Sequence, residues 1–117
     1  MTEDRRLRIR EHGDVLILGF RDEHLTADLA ASLGEEFNAA AAQERFRKVL
    51  VNFSGVSFIC SDVLGKLVTL NKRVRQKGGR LKLCGICPYI REILAVTRLD
   101  TIMDIAENER DALLAFA

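Results

Sequence analysis

Three stretches of this chain carry side chains able to do chemistry. The first is Cys60-Ser61-Asp62, which stands between an apolar run and a segment with helical spacing. A serine at a helix entrance is a preferred N-cap, worth about 1 kcal/mol over alanine. It is also a place where a fold tolerates a phosphate, because free backbone N–H groups and the positive end of the helix dipole face it. Both roles can hold together. A phosphate there would add about two negative charges to an exposed edge, enough to repel or recruit a partner.

The second stretch is Cys84-Gly85-Ile86-Cys87, a C-x-x-C spacing. Redox work by such a pair needs a thiolate of depressed pKa, usually at a helix N-terminus. Cys87, just ahead of Pro88, meets that demand. Cys84 falls inside a strand pattern, where a small buried apolar residue fits. Cys60 brings the thiols to three, and no second ligand pair exists for zinc. The third stretch is Asp22-Glu23-His24, taken with His12. Its spacing fits no metal motif, and a charged loop explains it. Gly78-Gly79 ends a helix rather than opening one, so it is no phosphate cradle. Phosphate-loop, dinucleotide-binding and nucleophile-elbow patterns are absent. The expectation is a protein without catalytic residues, metal or cofactor.

These residues need a frame. Val49, Leu50 and Val51, closing with Phe53, form an apolar run suited to a strand covered on both faces. Ser54-Gly55 breaks it, and Val56, Phe58 and Ile59 return toward the core. Beyond Ser61, Val63, Leu64, Leu67, Val68, Leu70 and Val74 recur at helical spacing. Lys66, Asn71, Lys72, Arg73, Arg75 and Gln76 fill the outer face. Lys77 ahead of Gly78 puts a cation and a glycine at the helix end.

Earlier in the chain, Leu7 and Ile9, then Val15 and Ile17, alternate around Glu11-His12-Gly13-Asp14, as in a hairpin. Arg21 to His24 is a charged connection. Thr26 is placed to cap a helix in which Leu25, Leu29, Leu33 and Phe37 recur every four residues. Arg80 to Ile86 reads as another strand, and Pro88 opens a short helix with Ile90, Ile93 and Leu94 on its apolar face. A brief strand over Ile102 to Ile105 precedes a last helix, Glu107 to Phe116, apolar at Leu113, Leu114 and Phe116. The order is ββαβαβαβα. It predicts an α/β fold: a small mixed sheet, hairpin first and parallel afterwards, with helices packed on it. Function belongs at the carboxyl ends of the parallel strands, where Cys60-Ser61-Asp62 falls.

The chain of 117 residues supports one domain over residues 1–117. It is 48% hydrophobic and 30% charged, with a net charge of +1. That balance gives no footprint for nucleic acid. No apolar run approaches the ~18 residues needed to span a bilayer, and the opening residues hold no signal core. A cytoplasmic protein with reduced thiols is expected.

The stretch from Val49 to Asp100 resembles the STAS domain, shared by sulfate transporters and bacterial anti-sigma factor antagonists. Such domains read as an apolar strand, D-L-S-G-V-x-F-x-D-S-S-G-L-G, a helix, G-G-x-L-x-L-x-G, a short helix and G-L-D. The resemblance implies a partner-switching regulator. In that family the serine after the Asp of D-S-S-G is phosphorylated by a serine protein kinase that doubles as an anti-sigma factor. The unphosphorylated form binds that kinase and frees the sigma factor; a phosphatase resets the system. Ser61 occupies the serine's place, and Cys60, Asp62, Val63 and Lys66 would border the contact. Cys60, Asp62 and Val63 replace the motif's Asp, second Ser and first Gly. Asn52 replaces the strand-end Asp, and Arg98 the Gly before L-D, where a left-handed residue is called for. The alternatives are a phosphorylation-independent scaffold or transport-system subunit, a Cys84/Cys87 thiol oxidoreductase, and a structural protein with no switch.

Overall fold

Val49, Leu50 and Val51 are completely buried, as a strand covered on both faces requires. In the computed structural model they lie at the centre of a five-stranded sheet. The structure describes residues 5–117; Met1 to Asp4, part of the opening stretch read for a signal core, lie outside them. The chain runs β1 (Leu7–His12), β2 (Val15–Phe20), β3 (His24–Leu25), α1 (Ala30–Ala41), β4 (Lys48–Asn52), β5 (Phe58–Ile59), α2 (Ser61–Gln76), β6 (Arg80–Cys84), α3 (Pro88–Val96), β7 (Asp104–Ala106) and α4 (Glu109–Phe116).

The strand order is β1-β2-β4-β6-β7. β1 and β2 form the expected antiparallel hairpin, and β2, β4, β6 and β7 are parallel neighbours. Alternation sorts the side chains. Leu16, Leu18, Val49, Val51, Leu81 and Leu83 face the main core with the buried sides of α1, α2 and α3. Val15, Ile17, Leu50 and Cys84 face the other way, under Ala112 and Phe116 of α4.

Several expectations shift. The order gains two short strands, β3 and β5, which pair in parallel as a separate small sheet. Leu25 is in β3 and not in the first helix. A 3-10 turn over Ala27–Leu29 separates them, and α1 starts at Ala30. Thr26 precedes that turn without a side-chain cap to the backbone; its hydroxyl bonds Asp28 instead. Asn71, expected on the outer face of α2, is buried, and its Oδ1 finds no partner. The last strand is Asp104–Ala106, with Ile102 exposed before it. The last helix starts at Glu109, where Asn108 accepts from the Asp111 N–H. Leu114 points to solvent.

Two side chains tie helices to their neighbours. Glu36 of α1 accepts from the N–H groups of Arg6 and Leu7 at 2.7 and 3.0 Å, closing off the start of β1. Lys77 follows α2, yet it serves α1. Its Nζ donates to the carbonyls of Ala41 and Gln43 at 2.9 and 2.8 Å. The Ala41 carbonyl is one of those left open at the end of α1, and burial there pushes the Lys77 ammonium below the ordinary lysine range.

Candidate functional site

The small β3–β5 sheet delivers the chain to Ser61. Ser57 N–H donates to Glu23 O and Cys60 N–H to Leu25 O, both at 2.9 Å. With Phe58 and Ile59 so held, Cys60 is extended (φ −88°, ψ 167°) and becomes the N-cap of α2. Its carbonyl accepts the first helical bond, from Leu64 N–H at 3.0 Å. Ser61 is therefore the first helical residue and not the cap, and it gives no side-chain capping bond. It is exposed, as is Asp62 beside it in the first turn.

Ser61, Asp62, Gly65, Lys66 and Thr69 of α2 meet Ala27, Ala30 and Ala31 across an open groove of about 510 Å³. Lys66 is exposed on its wall. Cys60, just ahead of Ser61, is half-buried. Val63, expected at the contact, is 1% exposed and belongs to the core beneath α2. A groove of about 540 Å³ opens between the hairpin turn and α4, reaching Lys48 at the start of β4. It lies by the opposite edge of the parallel strands from Ser61.

Two aromatic residues near Ser61 escape sequence reasoning. Phe58 is 36% exposed and did not return to the core with Val56 and Ile59. Its ring stacks on Tyr89 of α3 at 6.5 Å and 16°, and meets His24 edge-on at 6.5 Å. Tyr89 is 52% exposed. The one sequence signal was position: Phe58 and Ile59 must point opposite ways in an extended segment, so only one of them reaches the core.

The C-x-x-C pair does not converge on redox chemistry. Cys84 is fully buried in β6. Burial pushes its thiol up to about 11, and the Glu109 charge adds to the rise. Cys87 is the half-buried N-cap of α3, with Pro88 at the first helical position as expected. All three cysteines are free thiols. His24 lies 3.9 Å from the carboxylate of its neighbour Glu23. Among the described residues no group of three His, Cys, Asp or Glu is placed to hold a metal. No helix among them is long and apolar enough to cross a membrane.

Two departures noted in the sequence have structural partners. Asn52, at the end of β4, accepts from Ser54 N–H and donates to Glu109. Arg98 adopts the left-handed conformation at φ 62°, ψ 20°, the geometry for which glycine is the usual choice.

The pattern of the STAS domain family matches residues 6–112. The chain belongs to the STAS domain family. It is similar to the anti-sigma F factor antagonist of Paenibacillus polymyxa, 28% identical over 109 residues that span 92% of this chain and 91% of that protein. The structure of an anti-sigma-factor antagonist (STAS) domain protein from Planctomyces limnophilus superposes with a TM-score of 0.85. It is 29% identical and covers 95% of this chain and 97% of that one. The Bacillus cell fate determinant SpoIIAA in its phosphorylated form has a TM-score of 0.73 at 17% identity, covering 95% and 99% of the two chains. That last likeness speaks to the fold. In this STAS domain the expected hairpin, parallel strands and four helices are all in place.

Proposed function

We propose that this STAS domain is an anti-sigma factor antagonist that acts by partner switching. It binds and carries out no chemistry of its own. The face around Ser61 contacts an anti-sigma factor with serine kinase activity. Phosphate on Ser61 ends that contact, and a phosphatase restores it. The observation that carries this reading is the exposure of Ser61 on the first turn of α2. By the resemblance in sequence it stands for the family's modified serine, and it borders an open groove. Relatives named as anti-sigma factor antagonists support the assignment. Asp62 and Lys66, both exposed beside Ser61, and half-buried Cys60 complete the proposed contact. On this reading the chain works in the cytoplasm as a single domain without cofactor.

Asp62 favours a second reading. It sets a permanent negative charge one residue from Ser61, where the family has serine. A domain marked in this way suits a scaffold whose contact ignores phosphorylation. A pull-down from the native cytoplasm with wild-type, Ser61→Ala and Ser61→Glu protein separates the two. Partners and the Ser61 peptide are both read by mass spectrometry. The switch predicts a kinase-like partner kept by wild type and Ser61→Ala and lost by Ser61→Glu, with phosphate on wild-type Ser61 alone. Identical partners throughout and an unmodified Ser61 would sink it and leave the scaffold.

A further inference from the structure

The Lys66 side chain does not stand free above α2. It lies across Gly34 in the middle of α1. A Cβ built on Gly34 would sit 2.8 Å from Lys66 Cδ and 3.1 Å from Cε. Gly34 is buried, and glycine at such a position weakens a helix relative to alanine. Here the missing side chain is replaced by the lysine stem, in the way long cationic chains cover apolar surface while the head stays in water. Lys66 also lines the groove that Ser61 borders. Among the described residues no carboxylate pairs with its ammonium. Of the residues lining that groove, only Asp62 and Lys66 are charged.

We propose that Gly34 is a positioning residue for the Ser61 site. By lacking a side chain it seats Lys66 so that the ammonium becomes the counter-cation of a phosphate carried by Ser61. This inference rests on Ser61 being the modified residue. The second ionisation of a phosphoserine lies near pH 6. A cation beside it favours the dianion and lowers that pKa. Asp62 acts in the opposite sense, as does the more distant Asp28 on the turn before α1. The N-terminus of α2 favours the dianion. All three contributions stay constant when Lys66 or Gly34 is changed.

The test installs phosphoserine at position 61 by genetic encoding, so neither kinase nor partner is needed. The phosphorus resonance is followed from about pH 4.5 to 8, across its ionisation. Four proteins are compared: otherwise wild type, Lys66→Met, Gly34→Ala, and both changes together. Lys66→Met keeps most of the stem and drops the charge. Its midpoint is expected about half a unit above wild type at low salt, with the gap closing near 1 M salt. Gly34→Ala meets only the far end of a flexible side chain, so Lys66 moves and the midpoint rises part of the way. Added to Lys66→Met, Gly34→Ala changes nothing further. Equal midpoints for wild type and Lys66→Met would overturn the proposal. So would a Gly34→Ala shift that persists without Lys66. Thermal melts verify folding, and Lys66→Met alone decides the charge contact if Gly34→Ala does not fold. A Ser61 that carries no phosphate in cells would show in the pull-down and leave this titration readable.

Discussion

The Nδ2 of Asn52 donates to Oε1 of Glu109 at 3.0 Å, joining the end of β4 to the first turn of α4. Arg10 of β1 donates to the same oxygen. Asn52 also accepts from Ser54 N–H at 2.9 Å through its other amide atom. Its two functions demand an amide. The aspartate that the family pattern has at this place could serve Ser54, but it would turn a second carboxylate toward Glu109.

Asn52→Asp should therefore destabilise the domain by about 1–2 kcal/mol, through a lost hydrogen bond and a new repulsion. Urea denaturation near neutral pH measures this. Removing the opposing charge as well, in Asn52→Asp/Glu109→Gln, should restore part of the loss. If the single variant matches wild type, the Asn52–Glu109 contact carries no stability.

Glu109 also gives the domain an acid limb. The hydrogen bond from Arg10 is the largest cause holding its carboxyl below the ordinary 4.5, and burial opposes it. A carboxyl with a depressed folded pKa stabilises the fold above its unfolded pKa, and that stability is lost as pH falls through the folded pKa. Wild type should thus be more stable than Glu109→Gln at pH 6. The difference should shrink steadily as the pH drops below about 4.5. Urea midpoints for both proteins across that range report it; a constant difference would mean that the charge of Glu109 is irrelevant.

Arg98 is the one non-glycine residue with positive φ among those described. Its carbonyl accepts from Thr101 Oγ1 at 2.6 Å, so the turn is fixed by its neighbours. A left-handed non-glycine residue costs roughly 1–2 kcal/mol, part of which glycine returns as unfolded-state entropy. Arg98→Gly should raise stability by about 0.5–1 kcal/mol, and Arg98→Val should lower it by more than about 1 kcal/mol. Thermal melts of the pair test the sign in both directions.

The thiols should separate by accessibility. Cys84, fully buried with its thiol raised to about 11, should resist iodoacetamide in the native protein. Cys60 and Cys87 are half-buried and should label first. Peptide mass spectrometry after a short pulse reads the order. Early modification of Cys84 would return the C-x-x-C to consideration as a reactive pair.

The long periodic segments were legible in the sequence because burial dictates their spacing. Val49 to Val51 and the Val63–Leu67–Leu70–Val74 stripe needed no tertiary information. Features made by contacts remote in sequence were not. β3 and β5 are two-residue strands, too short to show a period. Leu25 keeps helical spacing to Leu29 by coincidence, while its backbone serves β5. Asn71 looks polar and outward in the sequence, yet it is buried in the fold. At the site, Ser61 and Asp62 were found from their position at the helix entrance. The capping role passed to Cys60, because the β3–β5 pairing keeps the chain extended one residue less far than a serine cap would need. Gly34 gave no signal, since its meaning is a lysine on another helix.

The two faces of the sheet are protected very unequally. Three helices guard one of them, whereas Ala112 and Phe116 of the eight-residue α4 shield Val15, Ile17, Leu50 and Cys84 on the other. A protease cut ahead of Glu109 would strip that shield from adjacent β-rich segments. The product would be an adhesive sheet prone to self-association and not merely a weaker binder. The dryness of that sheet face thus depends on the docking of one eight-residue helix.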